Sequence, residues 1–588
     1  MKYSDQIVGW LKSEGYTHCF FVAGGNIMHL LNSVRTEMTC IPFVNEVGAA
    51  IAVESFNETS SLKNGKAFLL VTAGPGLTNA VTGISGAWLE SRELLVIGGQ
   101  VKSSDLKSKS LRQRGIQEID GVELVSSITK ESIRISKPIS RKSFLSVVTK
   151  GSTGRKGPIF IEICLDAQAN QPFVEESEVN EARSNIDSTP VLDDKIVELI
   201  KQSKRPVMLL GGGVDFDFAH NNVEGFADLG IPLMTTWNGA DRISSKNPLY
   251  FGRPNTWGQR AANVLLQQSD LVLAVGTRLG LQQTGFAWED FVPNGKVIQI
   301  DIDKSELEKG HPIVEYGVNS DAAEFLSALF AGAGDFDLEV SNWVEHCRNV
   351  TEVLPLNDSE NVTRPEFVDP YLFGLALSAA ADSDSILVPC SSGSSFTVLM
   401  QTLRQYDSQR IISSKGLASM GYGLSTAIGG ALANPGKKVF LVEGDGGFAQ
   451  NLQELGTVSA NDLPIKIFIW ANNGYASIRM TQRNYFDGAW VGCDSETGLG
   501  LPDLEQLAKT YRIPFIKMTN KLFADMDLQL MLKSPGPVIV EVPIDPEQTF
   551  YPKITSSVQP DGSMKSNPLH LMSPDLPEHL SIMVFKYL

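Results

Sequence analysis

The 588-residue sequence has only six cysteines, at positions 19, 40, 164, 347, 390 and 493, and no two are spaced as CxxC. That excludes a thiolate zinc site and a thioredoxin-like redox motif. So sparse a set fits reduced thiols in a reducing compartment. Positive charge is short as well, with 50 Lys and Arg against 67 Asp and Glu and a formal net charge of −17. A nucleic-acid surface needs clustered Lys and Arg to replace phosphate counterions, so that class of partner is set aside. An anionic small molecule is not, because a pocket can be positive on an acidic protein. No apolar run approaches the ~20 residues of a membrane helix. The first residues, MKYSDQIVGWLKSEG, lack the apolar core of a signal peptide. The expectation is a soluble cytoplasmic protein with neither nucleic acid nor membrane as partner. The seven histidines fall in none of the motifs below.

What is present is a repeated alternation. Short branched runs, AFLLVTAG (67–74), ELLVIGGQ (93–100), VMLLGGG (207–213), LVLAVG (271–276), VIQIDID (297–303), VFLVEGDG (439–446) and IKIFIWANN (465–473), are separated by longer amphipathic stretches. Each run is strand-length and ends in Gly, Asp or Asn, as buried parallel strands do when functional loops leave their carboxyl ends. The class is α/β. A chain this long needs several cores. GPIFIEICLDAQANQPF (157–173) is echoed by GPVIVEVPIDPEQTF (536–550), which suggests two like-built α/β domains. Polar stretches at 171–193 and 331–367 lack a sustained period and read as linkers around a middle α/β domain. The tail after 551 is left to cover a neighbour or to stay unattached.

Gly444-Asp445-Gly446 closes one strand and Asn472-Asn473 closes the next, with 447–471 between. Helical spacing through Phe448, Leu452 and Leu455, then Pro464, predicts one crossover helix, so both polar ends meet at one sheet edge. A carboxylate beside a carboxamide, with glycines that admit a phosphate to the backbone, is a hard oxygen site suited to Mg²⁺. Asp445 and Asn473 are the expected ligands, with the Tyr475 carbonyl as a third. The segment after Gly446 and Gly447 offers free N–H groups to a diphosphate.

GDG followed by NN at this spacing resembles the signature of thiamine diphosphate enzymes, and the wider match is to their acetolactate synthase-like branch. TAGPGLTNAVTGISGAW (72–88) resembles the family's cofactor loop, implying contacts from Gly74, Pro75 and Asn79. GLASMGYGLSTAIGGALANP (416–435) and GIPLMTTWNGAD (230–241) resemble further family segments. The resemblance implies three consecutive parallel-sheet domains: pyrimidine-binding (1–172), central (185–335) and diphosphate-binding (365–550), with 551–588 as a tail. It places the cofactor between two subunits, hence a homodimer or homotetramer.

Further roles come from the same resemblance. Glu46, in IPFVNEVGAAIAVESF (41–56), reads on its own as a helix N-terminal acid. Small residues at 48–50 and 52 would let its helix pack closely against something flat. The resemblance makes Glu46 the activating acid that hydrogen-bonds the cofactor's aminopyrimidine. Met420 becomes the residue that holds the cofactor bent, and the Ala418 carbonyl an acceptor for its amino group; alone, Met420 reads as core filler. Many relatives carry His before the glutamate, where this chain has Asn45. In RQRGIQEID (112–120), Gln117 matches an active-site Gln-Glu pair and is a candidate to bind the acceptor, or else a polar loop residue. Ile116 stands where a Phe is common, and Gln482 where a Trp narrows the acceptor pocket. LGGG (210–213), GTRLGLQQTG (276–285), IDIDKSE (300–306) and SDAAEFL (320–326) resemble an FAD-binding domain through Arg278, Asp301 and Asp321. Some members keep that domain without flavin, so FAD stays open.

The implied reaction decarboxylates a 2-oxo acid, pyruvate expected, and adds its two-carbon unit to a carbonyl acceptor. The departures at Ile116 and Gln482 fall on the acceptor side, which points to a larger acceptor such as a nucleotide-linked keto sugar. The alternative is a simple decarboxylase that releases an aldehyde. A non-catalytic scaffold would not need Glu46, Asp445 and Asn473 together. An NAD dehydrogenase lacks its G-x-G-x-x-G here.

Overall fold

The apolar runs form buried parallel strands, as their branched content and length require. The computed structural model describes residues 1–60, 64–174, 192–336, 338–406, 408–558, 560 and 564–588. Most of the first linker, 171–193, therefore lies outside the described residues.

Three parallel sheets follow one another along the chain. The first contains β1 (Tyr16–Phe21), β2 (Thr39–Pro42), β3 (Lys66–Val71), β4 (Leu94–Gln100), β5 (Glu131–Ile135) and β6 (Pro158–Cys164). The second contains β7 (Pro206–Leu210), β8 (Leu233–Thr235), β9 (Leu271–Val275), β10 (Lys296–Asp301) and β11 (Tyr316–Asn319). The third contains β12 (Ile386–Val388), β13 (Arg410–Ile411), β14 (Val439–Gly444), β15 (Ile465–Ala471), β16 (Phe515–Lys517) and β17 (Val538–Pro543).

The first sheet runs in the order β2-β1-β3-β4-β6-β5 and the third in the order β13-β12-β14-β15-β17-β16. These are one topology used twice. The echoed segments supply β6 and β17, which occupy the same place in the two sheets. The second sheet runs β11-β10-β9-β7-β8.

The first and third units share a core. The helix Glu46–Thr59 lies between the helix Pro75–Glu90 of its own unit and the helix Tyr422–Ala433 of the third. Small residues set these distances. A Cβ at Gly83 would stand 2.4 Å from the Ala50 Cβ, and one at Gly429 would stand 2.1 Å from the Ala52 carbonyl oxygen. The small face at 48–52 thus packs on helices. Charge locks the same junction. Glu54 is buried, accepts from Arg92 at 2.8 Å and accepts from the Tyr422 hydroxyl. Arg92 also donates to the Ser413 carbonyl at 2.9 Å.

Two segments differ from the sequence reading. The stretch 331–367 holds a helix, Ser341–Val353, which buries Trp343, Val344, His346, Cys347 and Val350. Its apolar stripe is narrow and set among polar residues, which hid the period. The tail is docked on its own chain: the Ile554 N–H donates to the Thr256 carbonyl, Arg260 to the Met572 carbonyl and Gln268 to the Val584 carbonyl. Among the described residues no helix is long and apolar enough to cross a membrane.

Candidate active site

β14 and β15 pair in parallel with Gly444 opposite Trp470, so the GDG and NN segments leave the sheet side by side. The crossover between them is broken. A short helix, Asp445–Phe448, gives way to a 3-10 turn, Leu452–Glu454, and then to the helix Leu455–Ala460. The glycine pair weakens helix propagation, and the Asn451 amide donates to the Gly421 carbonyl at 2.8 Å.

Asp445 is buried in a ring of backbone donors. It accepts from Gly446 at 2.7 Å, Asn472 at 3.0 Å and Gly474 at 3.1 and 3.2 Å. Burial pushes its carboxyl up to about 6, against N–H groups of Gly446, Gly474, Asn472 and Asn473 that favour the charged form. Asn473 sits at φ 60°, in the left-handed region, and its side-chain oxygen accepts from the Ser495 hydroxyl at 2.8 Å. The Tyr475 carbonyl accepts the N–H groups of Ile478 and Arg479 at 2.9 Å as the helix Ala476–Tyr485 begins. As a third metal ligand it would share its oxygen with those donors.

The glycines separate into two kinds. A Cβ at Gly446 would lie 2.6 Å from the Tyr475 ring, so packing alone requires glycine there. At Gly444 the nearest neighbour is the Ser395 hydroxyl at 3.8 Å, and at Gly447 it is Glu443 at 3.5 Å, both ordinary contacts. Among the described residues nothing excludes a side chain at those two positions, whereas a diphosphate approaching the backbone would. Among the described residues no three His, Cys, Asp or Glu side chains gather to hold a metal. One carboxylate, one amide oxygen and open backbone suit a hard cation that shares phosphate oxygens. This donor set fits Mg²⁺ with a diphosphate.

Two contributors escaped the sequence reading. The loop CSSGSS (390–395) opens the helix Gly393–Thr402 beside Gly444. Its Gly/Ser content at a strand end was the available signal. Glu443, just before the GDG, is buried and held at the start of the helix Tyr422–Ala433. Burial pushes its carboxyl up to about 7, opposed by the N–H groups of Gly423, Leu424 and Gly421. Next to that start, Met420 is 38 % exposed and receives the Gln450 amide at its sulfur, at 3.6 Å. Ala418 has φ 55°, and Ser391 holds the neighbouring Ser419 carbonyl.

A second group forms on the first sheet. Glu46 is the first residue of its helix, 7 % exposed, and accepts from the Asn79 amide at 3.0 Å. Asn45 caps that helix by accepting from the Val47 N–H at 3.1 Å. Gly74 has φ 66°, and a Cβ on it would stand 2.3 Å from the Gln117 carbonyl oxygen. That brings the Gly74-Pro75 turn and Gln117 together. Gln117 has φ 61° and is exposed. Buried Glu118 organises the loop instead, accepting from the Lys107, Arg114 and Gly115 N–H groups at 2.5, 2.9 and 2.8 Å. Gln117, Ala418 and Asn473 are all non-glycine residues in a disfavoured conformation, a state that recurs at functional sites. No hydrogen bond among the described residues joins Glu46, Asn79 or Gln117 to Asp445, Asn473 or Met420. The two groups lie beyond the carboxyl ends of strands in two different sheets. Gln482 is turned to the Val491 backbone, accepting at 3.1 Å and donating at 3.4 Å.

At the second sheet, Asp301 ends β10 and accepts from the Asp303 N–H at 2.9 Å. Asp321 caps the helix Ala322–Ala331, and the Arg278 carbonyl accepts from Lys309. Arg155 of the first unit pairs with Asp303 at 2.8 Å and Glu306 at 2.9 Å. Asp301 and Asp321 each accept backbone N–H groups through one carboxylate oxygen.

Three family profiles match the chain. They are the N-terminal TPP binding domain of thiamine pyrophosphate enzymes over 1–124, the central domain over 194–329 and the C-terminal TPP binding domain over 391–542. The acetolactate synthase large subunit of Cyanidium caldarium is 28% identical over 87% of this chain and 86% of its own length. Acetolactate synthase isozyme 1 large subunit of Escherichia coli (strain K12) is 28% identical over 94% and 95%. A probable acetolactate synthase large subunit of Methanocaldococcus jannaschii is 28% identical over 95% of both. The chain belongs to the thiamine diphosphate-dependent enzymes, in their acetolactate synthase-like branch.

Proposed function

We propose that this enzyme decarboxylates pyruvate and joins the two-carbon unit to a carbonyl acceptor other than free pyruvate, a keto sugar being the expected class. The reading is supported by two groups of residues that match the two halves of a cofactor site, and by the departures at Ile116 and Gln482 on the acceptor side. Glu46 with Asn79, and Asp445 with Asn473 and the unfilled glycines 444 and 447, provide the halves. Bound thiamine diphosphate would supply the carbanion chemistry that side chains lack. Glu46 would hold and move a proton at the aminopyrimidine, with Asn79 fixing its orientation. Asp445 and Asn473 would carry Mg²⁺. Met420 and the Ala418 carbonyl would face the cofactor's middle. No step is assigned to flavin; a colourless preparation that releases no flavin on denaturation fits that assignment.

We place the working site between two subunits, in a homodimer or homotetramer. Among the described residues no hydrogen bond joins the two groups directly within one chain, and apolar Val44, Ile116 and Met420 are exposed beside them.

Ile116 is smaller than the Phe common at its place, and with polar Gln117 beside it the acceptor side suits a bulky polar acceptor. The space left by the smaller Ile116 would also admit water, which favours a simple decarboxylase as the second reading. Incubation with pyruvate alone and with pyruvate plus a nucleotide-linked keto sugar separates the two. The account expects an adduct heavier than the sugar by one two-carbon unit. Acetolactate as the sole product in both incubations would remove the acceptor proposal, and acetaldehyde alone would favour the decarboxylase.

A further inference from the structure

The crossover that leaves Asp445 returns a carboxylate to the other half-site. Glu454 is completely buried. One of its oxygens accepts the Asn45 N–H at 2.9 Å. The other accepts the Val44 N–H at 3.4 Å and the Thr457 hydroxyl at 2.7 Å. A Cβ on Gly48 would stand 2.8 Å from the Glu454 side chain, so the first turn of the Glu46 helix rests directly on it. Among the described residues no Lys, Arg or His forms an ion pair with Glu454. A buried carboxylate with no counter-ion is costly unless its hydrogen bonds are well formed. Here, besides the Thr457 hydroxyl, those bonds come from the N–H groups of the two residues that enter the Glu46 helix.

We propose that Glu454 is a positioning residue that fixes the entry of the Glu46 helix and ties it to the Asp445 crossover, so that filling the diphosphate half-site steadies the glutamate half-site of the same chain. The inference rests on the cofactor reading above. Asn45 is the middle of the linkage: its N–H is held by Glu454 while its side chain caps the helix at Val47. A shift of the crossover at 451–454 would reach Glu46 through a single residue. Because the working site is placed between subunits, the two half-sites so joined belong to different active sites. Glu454 would then couple one active site to the next.

The test uses the full-length protein with Mg²⁺ and inorganic diphosphate, a probe with no aminopyrimidine to touch Glu46. Hydrogen exchange is followed in peptides covering 43–50 and 445–455. In the wild type both are expected to slow on adding the probe. In Glu454→Ala, 445–455 should still slow while 43–50 should not. Glu454→Gln keeps one acceptor for Asn45 and should restore part of the effect, which distinguishes a linkage from general loosening. With the complete cofactor, Glu454→Ala should lower kcat about ten- to a hundredfold with little change in KM, the usual scale of a misplaced catalytic group. Undiminished slowing at 43–50 in Glu454→Ala, or kcat within about twofold of wild type, overturns the proposal. Absence of slowing at 445–455 in the wild type overturns the diphosphate reading itself, and this inference with it.

Discussion

Asp445→Ala is expected to abolish Mg²⁺-dependent retention of thiamine diphosphate and, with it, all turnover. The carboxylate sits at the GDG edge, where its N–H partners at Gly446, Asn472 and Gly474 hold it in place. Removing it withdraws the metal's charged ligand and leaves those donors unpaired. A lost charged interaction of this kind costs about 3 kcal/mol or more, over a hundredfold in affinity. Calorimetric titration of cofactor with and without Mg²⁺ measures it. Wild-type protein should bind tightly only with the metal, and the variant weakly in both conditions. Equal, metal-dependent affinity in the variant would move the cation to another site.

Glu46→Gln should give the opposite split. The amide keeps an oxygen for the Asn79 donor, and the buried start of the helix is undisturbed, so cofactor affinity should change by no more than a few-fold. What is lost is the proton that a carboxyl can hold and move, an effect of about 10²–10⁴ in rate. The paired result, binding lost in one variant and turnover in the other, assigns the two half-sites separate tasks. A Glu46→Gln enzyme with near wild-type kcat would remove Glu46 from the chemistry.

The legible parts of this fold were the central strands. Runs such as VFLVEGDG and IKIFIWANN are long, branched and bounded by Gly or Asn, so burial on both faces shows in composition. The echo of 157–173 by 536–550 gave the doubled topology, because the corresponding strands of two like-built sheets face like surroundings. Short strands such as β12 and β13, of three and two residues, were not legible, since so short a stretch carries no period. The helix Ser341–Val353 was hidden by polar residues around a narrow stripe. At the site, the metal side was readable from GDG and NN spacing. Glu46 was not readable alone, because an acid opening a helix is ordinary, and only the resemblance gave it a role. Glu443 and Glu454 left no local pattern: the backbone groups that hold Glu443 lie 19 to 22 residues away, and those that Glu454 accepts lie about 410 away. Gln482 was assigned by its place in the resembling segment, and the structure turns it to Val491 instead.

The most direct measurement is CO₂ release from pyruvate, with and without thiamine diphosphate and Mg²⁺, with the carbon products identified by mass. The account predicts release that requires both additions and a product in which the two-carbon unit is joined to a second carbonyl compound. No cofactor-dependent release from pyruvate or from any other 2-oxo acid would contradict it.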